Sequence, residues 1–364
     1  MTTAPWRIER LHVPASLEAD DATDFIAAGD LSNLVEGLRW GNNDHWVSPG
    51  VRLAAAQPSP YTGRQGFVAK VDGRVVGHAD VELPLTDNED VAYPYVIVHP
   101  EYQRQSLGSE LYAALEECMK TASRRVFMAW SDHVADFDVD AAGGVRPHSG
   151  PGRLPEDSGV VRFCQSLGYE LEQVEWFGVL YLPIDRDAVA AAERETQRVA
   201  GGDYELLVWQ DRCPDDVVDQ YAELRRLMSI DIPLGELESK PEVWDKARVR
   251  ESEEKLLKQT GHSLVAAVRH RPSNQLAGHT IVEFFPERPE VVHQEDTLVL
   301  NSHRGHRLGM LLKAHNLLRL QELGPESRRL YTWNAAENAH MLDINIALGF
   351  VPAGYVGAWQ KKIR

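Results

Sequence analysis

The sequence predicts an α+β protein (a mixed α/β sheet) made of two tandem copies of one domain, each a mostly antiparallel sheet flanked by helices. Three observations carry that expectation. Stretches of period-2 apolar alternation and stretches of helical spacing follow one another along the 364 residues in an order that occurs twice. Gly77-His78-Ala79-Asp80-Val81-Glu82 shares four of six residues with Gly278-His279-Thr280-Ile281-Val282-Glu283, 201 residues later. VHPEYQRQSLGSELYAAL from Val98 and VLNSHRGHRLGMLLK from Val299 keep the same separation, and each copy closes on a Leu-Gly-aromatic triplet, Leu167-Gly168-Tyr169 and Leu348-Gly349-Phe350.

In the first copy, residues 1–184, Trp6 to Val13 alternates as a strand and Ala15 to Leu38 has amphipathic helical spacing. Gly66 to Val71, Arg74 to Leu83 and Val91 to Val98 read as strands, the first two joined by a turn at Asp72-Gly73. Leu107 to Ala122 reads as a helix, Arg125 to Trp130 as a buried strand, and residues 131–156, rich in Gly, Pro and Asp, as a long loop. A short helix from Ser158 to Leu167, which Asp157 is placed to cap, precedes closing strands from Tyr169 to Leu182.

The Ala/Arg/Glu-rich segment 185–202 is expected as a helical linker. The second copy, 203–364, repeats the order with a strand from Asp203 to Trp209 and helices from Asp215 to Ile230 and Pro241 to Thr260. Strands follow at Leu264 to Arg269, Gln275 to Phe285 and Val291 to Leu300, then a helix from Leu308 to Leu323 and a strand from Arg329 to Trp333. A helix from Asn338 to Leu348 and a strand from Tyr355 to Lys361 close the chain. The triplet glycines are 181 rather than 201 residues apart, a difference the loop 131–156 accounts for.

Composition narrows the function classes. A net charge of −17 argues against a nucleic-acid partner, which demands a basic face, and suits a cationic substrate. The acidity is uneven: residues 1–182 hold 14 Lys and Arg against 27 Asp and Glu, the remainder 24 against 28. Three scattered cysteines, Cys118, Cys164 and Cys213, indicate neither a disulfide framework nor a zinc cluster. No apolar run approaches the ~20 residues of a membrane span, and the start MTTAPWRIER has no signal-peptide core, so a soluble, cytoplasmic protein is expected. Composition says nothing of the oligomeric state.

Val299 to Lys313 ends an apolar strand in a basic turn that opens directly into a helix. The first helical turn leaves backbone N–H groups unbonded and carries the positive end of the macrodipole, which suits a diphosphate. Gly305 and Gly309 let the chain turn and let an anion approach, while Arg304, His306 and Arg307 add donors or charge before and beside Leu308. Gln103, Arg104, Gln105, Ser106, Gly108 and Ser109 occupy the corresponding stretch of the first copy.

These residues resemble the Q/R-x-x-G-x-G/A signature of the GNAT superfamily of N-acetyltransferases. Gln103 to Gly108 and Arg304 to Gly309 match its first and last positions, with Ser106 and Arg307 where the family has its middle glycine. The resemblance implies two tandem acyl-CoA N-acyltransferase domains and acetyl-CoA as co-substrate with its diphosphate on the turn; no metal is expected, from the cysteine and acid spacings. It also implies that backbone groups of Val98 and Val299 meet the pantetheine arm. Asn338, eleven residues before Gly349, is implied to touch CoA; the first copy has Asp157 there. With the basic turn and milder acidity, Asn338 favours the second copy as the catalytic domain. The first is then a scaffold or a second CoA site.

Acetyl transfer to an amine needs a base to remove a proton from an ammonium group. The resemblance places it on the strand ahead of the turn, where His293 lies eleven residues before Arg304, against Ala92 in the first copy, with Glu295 and Asp296 as competitors. An imidazole titrating near ~6.5 suits the role. The family's tyrosine acid, four residues before the triplet glycine, is replaced by Cys164 and Asn345. Water, Tyr355, Tyr331 or direct loss of the thiolate takes its place.

His78 and His279 read as structural strand residues; Glu82 and Glu283 read first as strand residues too, with a substrate-facing role implied by the resemblance as the alternative. In the loop, Asp136, Asp138 and Asp140 lack the following Gly and Glu of a calcium site. The implied reaction moves acetyl to a primary amine of a small molecule by direct attack in a ternary complex. A CoA-binding sensor or scaffold without turnover is the alternative. Tandem members of the family acetylate amino-sugar thiol precursors or aminoglycosides, and the sequence does not select between them.

Overall fold

The computed structural model describes residues 5–324 and 326–363; the outer limits of the two copies, Met1 and Arg364, and the first four residues of the N-terminal stretch lie outside them. The first half runs β1 Arg7–Leu11, α1 Ala22–Trp40, α2 Pro49–Ala56, β2 Thr62–Val71, β3 Arg74–Pro84, β4 Val91–Val98, α3 Leu107–Thr121, β5 Val126–Val134, α4 Gly159–Ser166 and β6 Glu170–Tyr181. The second begins with α5 Arg186–Ala200, then β7 Tyr204–Gln210, α6 Val218–Asp231, α7 Lys246–Lys258, β8 His262–His270 and β9 Gln275–Phe284. It ends with β10 Val291–Val299, α8 Leu308–Leu323, β11 Arg329–Ala335, α9 Ala339–Ala347 and β12 Val351–Lys362.

Most elements form where local chemistry puts them. The β2–β3 turn sets Asp72 and Gly73 at φ 49° and 81°, the left-handed pair that a tight hairpin demands. Asp245 caps α7 and Asp185 caps α5 by accepting backbone N–H bonds. One helix was not foreseen: α2, whose start is written in Ser48, which accepts from the Val51 N–H, and in Pro49 at the first helical position. The expected Asp157 cap of α4 is instead Ser158, and it makes no side-chain bond.

The chain divides into two compact units whose limits differ from the sequence copies. One comprises residues 1–173, 235–239 and 357–364, the other 174–234 and 240–356. The boundary at 184 is thus corrected: most of β6 joins the second unit, where it pairs antiparallel with β11 from Tyr181↔Arg329 to Glu175↔Ala335. The end of β12 in turn closes the first unit beside β5. Segment 185–202 is likewise no free linker. It is α5, an integral helix of the second unit, held to α8 by His315 Nδ1 and Glu193 Oε1 at 2.5 Å and by the Arg186–Glu322 ion pair.

The first unit's sheet runs β1-β2-β3-β4-β5-β12 and the second's β6-β11-β10-β9-β8-β7. Each holds one parallel pair that opens into a split. In the first unit β4 and β5 pair only at Val91↔Val126 and Ala92↔Phe127; in the second β10 and β11 pair from Val291↔Arg329 to Gln294↔Thr332. Both faces of the second sheet are packed. Leu264, Val282, Val292 and Leu330 meet Leu317 and Leu320 of α8, while Val265, Ile281 and Leu298 meet Tyr221 and Leu224 of α6 and Val249 of α7. Each such side chain contributes roughly 1.5–3 kcal/mol on burial. The repeated Gly-His has a packing reason: a Cβ at Gly278 would lie 2.5 Å from the Leu298 carbonyl oxygen.

Register also corrects one sequence comparison. On β9, Val282 pairs with Gln294 but Thr280 with Thr297, so β10 carries a one-residue bulge at Glu295 and Asp296. The β3–β4 pairing has no such shift. His293 opposes Glu283 and Tyr93 opposes Glu82, so the counterpart of His293 is Tyr93 rather than Ala92. Among the described residues, no helix is long and apolar enough to cross a membrane.

Candidate functional site

In the second unit, β10 delivers the chain through a single 3-10 turn, Asn301–His303, into the stretch ahead of α8. Gly305 sits at φ 87° and Arg307, the N-cap, at φ 57°. The left-handed conformation that favours glycine is therefore kept by an arginine, and no side chain caps the helix. Leu311 makes the first backbone bond of α8, to the Arg307 carbonyl at 3.1 Å, and the N–H groups of a first helical turn, which have no partner within the helix, suit an anion. The first unit repeats the geometry, with Arg104 at φ 61° and the uncapped N-cap Ser106 at φ 71°. Gly108 follows on α3, while Gln103, Arg104, Gln105, Ser106 and Ser109 are exposed.

The first motif residue folds back in both units. Gln103 Nε2 donates to the Val98 carbonyl at 3.0 Å, and Arg304 Nε to the Val299 carbonyl at 3.3 Å. These carbonyls, expected to be open to a ligand, are engaged by the chain itself. Gln105 spends its amide on the Glu101 carbonyl at 2.9 Å.

A cavity of about 490 Å³ opens beside the second turn. It brings together Val299, Arg304, Gly305, Arg307, Leu308, Gly309 and Asn338, residues that the turn motif and the family resemblance had nominated, and adds Asp231, Met341 and Ile344. Asn338 is the N-cap of α9, accepting from the Met341 N–H at 3.3 Å, so capping and cavity lining coexist. His306 is not among the lining residues; its ring lies 5.2 Å from that of Tyr204.

Of the candidate bases, Glu295 and Asp296 occupy the bulge on β10 and His293 lies just before it. The His293 ring stacks 6.0 Å from Trp333 and 6.4 Å from Tyr331. Asp296 is held by Arg225 Nε at 3.0 Å, and Arg225 lies 4.4 Å over the Trp244 ring. Glu295 is accessible to solvent yet has protein packed closely around it. That crowding, with Glu283 and Asp296 nearby, pushes its carboxyl up to about 8. Burial likewise raises Glu283, opposed by Arg225. His279 is fully buried, edge-on to Tyr221 at 5.4 Å, and pushed down to about 4 by burial, a neutral core residue. Tyr355 is not brought to this group; it packs against the cluster of Leu264, Val282 and Leu330 on the α8 side.

Sequence reasoning missed Arg225, which gives no local signal, and a second cavity. That cavity, about 540 Å³, lies in the split of the first unit between β4 and β5. Asp80, Glu82 and Asp132 supply carboxylates, Arg39 and Arg64 guanidinium groups. Burial pushes Asp132 up to about 6, with Arg39 opposing. Its α3 and α4 side carries Tyr112, Cys164 and Tyr169, the two hydroxyls 3.0 Å apart. The Cys164 thiol is pushed up to about 12 by burial.

With this geometry in place, comparison with known proteins is informative. Residues 37–141 match the acetyltransferase (GNAT) family model. A mycothiol acetyltransferase of Stackebrandtia nassauensis is 27% identical over 126 residues, 34% of this chain and 39% of that protein's length. Among solved structures, a tandem GNAT protein from the clavulanic acid biosynthesis pathway aligns over 98% of both chains with a TM-score of 0.71 and 22% identity. A GCN5-related N-acetyltransferase from Sphaerobacter thermophilus aligns over 99% of this chain and 96% of its own, with a TM-score of 0.61 and 13% identity. At such identities the structural likenesses establish the fold.

Proposed function

From a chain that carries a GNAT acetyltransferase domain and the fold of a tandem GNAT protein, we propose a transferase that moves acetyl from acetyl-CoA to a primary amine of a small molecule by direct attack in a ternary complex. The observation that carries the reading is the cavity that joins the uncapped start of α8 to Val299 and Asn338. Backbone N–H groups at Leu308 and Gly309, with Arg304 and Arg307, hold the diphosphate, and the β10–β11 split leads the thioester toward the bulge. The second unit is the principal catalytic site.

There the amine arrives as an ammonium at the acidic group formed by Glu283, Glu295 and Asp296. Glu295 accepts its proton, directly or through one water, and the neutral nitrogen attacks the thioester carbon. Glu295 suits this step better than Asp296, which the Arg225 ion pair holds, and better than His293, stacked against the aromatic rings of β11. His293 instead walls the acceptor path.

A second reading concerns the first unit. Its own cavity, with three carboxylates and four tyrosines beside the split, supports an amine-binding site there too. Mixing the protein with acetyl-CoA and a panel of amines, namely a polyamine, an amino sugar and an aminoglycoside, should release CoA thiol faster than hydrolysis does. Binding of acetyl-CoA without thiol release across the panel would leave a CoA-binding sensor or scaffold as the better description.

A further inference from the structure

Ser131 is a buried hydroxyl that the reaction outlined above leaves unused. It lies on β5, is 2% exposed and lines the cavity in the first unit's split. His133, two residues on and therefore on the same side of the strand, brings its Nε2 to 2.9 Å from the serine Oγ. Trp359 Nε1, on the end of β12 that closes this unit, donates to the same oxygen at 2.8 Å. An indole N–H can only donate, so it takes a lone pair of Oγ and leaves the hydroxyl hydrogen free for the imidazole, in the tautomer that carries its own hydrogen on Nδ1.

The surroundings hold this pair in place. The Phe137 ring meets the His133 ring edge-on at 6.3 Å. A Cβ at Gly357 would lie 2.9 Å from Ser131 Oγ, so glycine there leaves the hydroxyl its room. Asp132, between the two on β5, turns to the other side of the strand and accepts from Arg39 Nη1 at 3.1 Å. Burial, with Arg39 adding to it, lowers His133 to about 4, so the imidazole stands neutral and open to a proton. A hydroxyl that only satisfied the Trp359 N–H would need no base beside it. A serine and a base in hydrogen-bond reach at a cavity wall are the working parts of a nucleophile.

We propose that Ser131, with His133 as its base, is a nucleophile that takes an acyl group from a thioester bound in the first unit's cavity and holds it as an ester. This goes beyond the direct attack assigned to the second unit, and it rests on the reading of acetyl-CoA as the donor. The serine Oγ bonds to the thioester carbon while its proton passes to His133 Nε2. The tetrahedral adduct collapses, the C–S bond breaks with its electron pair on sulfur, and the proton on His133 passes to that sulfur. An amine or water then attacks the ester carbon and gives its proton to His133, which returns it to Oγ as the C–O bond breaks.

The test needs no amine. The full chain is mixed with acetyl-CoA and, separately, with p-nitrophenyl acetate, an activated ester that requires no CoA site. Mass measurement and peptide mapping after an acid quench should find a single acetyl group, on Ser131, from either donor. Ser131→Ala should lose it, and His133→Gln should slow its appearance about a hundredfold. Should Ser131→Ala not fold, Ser131→Cys keeps a nucleophile of nearly the same volume: its label should become a thioester, which neutral hydroxylamine strips while leaving the native serine ester in place. Acetyl on Ser131 from the aryl ester alone upholds the nucleophile and overturns acetyl-CoA as its donor, the reading beneath it. No label at this position from either donor overturns the proposal, as does a His133→Gln variant that is acetylated at the native rate.

Discussion

Nη2 of Arg304 lies 2.7 Å from Oδ2 of Asp231, whose other oxygen accepts from Asn301 Nδ2 at 3.0 Å. The carboxylate that aims the arginine also lines the cavity a diphosphate would enter. Orientation and repulsion therefore oppose each other. Arg304 is half exposed, so water screens the ion pair and its worth is small. Asp231→Asn keeps an acceptor for Arg304 and removes the negative charge, so affinity for CoA should rise roughly two- to five-fold at low salt, less as salt increases. Calorimetric titration at two ionic strengths checks this; weaker binding would mean that aiming Arg304 outweighs the repulsion.

The two turns differ in how much room their glycines have. A Cβ on Gly309 would lie 3.1 Å from Ile344 Cδ1, tighter than ordinary contact, whereas on Gly108 it would lie 3.4 Å from the Phe163 ring. Gly309 also lines the second unit's cavity. Gly309→Glu therefore adds both crowding and a carboxylate at the proposed diphosphate site, and should lower kcat/KM for acetyl-CoA by about a hundredfold or more. Gly108→Glu should leave most of the turnover. Measured thiol release showing the opposite ranking would move the principal site to the first unit.

The bulge that separates these units chemically was invisible in the sequence. Both turns sit 201 residues apart, and so do Glu82 and Glu283, so nothing flagged the single residue added to β10 between them. Strand β4 and helix α8 were legible to the residue, because alternation, glycine and helical spacing are local signals. The exchange of the last strands was not legible, since which sheet Val179 or Trp359 completes depends on partners far away in the chain. The burial of Lys313 was hidden for a related reason. A lysine in an amphipathic helix reads as solvent-facing, and only the packing of α9 places an amide over it.

On the proposed reading Glu295 works as a base only once ionised, and its carboxyl is raised to about 8, so kcat should climb as pH approaches 8 and level off above it, with Glu295→Gln flattening the rise. Stability has its own sign. An unfolded glutamate ionises near ~4.3, so the contribution of the native, protonated Glu295 is complete below that pH and is lost as pH rises toward 8. Denaturant midpoints should therefore decline over that window in the wild type and less in Glu295→Gln; parallel declines would place the raised carboxyl elsewhere.

Ser106 and Arg307 hold the same left-handed backbone, at φ 71° and 57°, where a Cβ is strained and glycine is not. Replacing either by glycine relieves that strain, offset in part by the greater freedom of glycine in the unfolded chain. A net stabilisation of roughly 0.5–1 kcal/mol is expected in each case. The side chains then separate the two. Ser106 makes no capping bond, so Ser106→Gly should raise the first unit's unfolding midpoint and leave CoA affinity at the second turn unchanged. Arg307 lines the second unit's cavity, so Arg307→Gly should stabilise the fold while weakening CoA binding several-fold, with a smaller salt dependence. Thermal unfolding and calorimetry on both variants test the pair, and a loss of stability in Ser106→Gly would show that the serine side chain, rather than backbone strain, governs that turn.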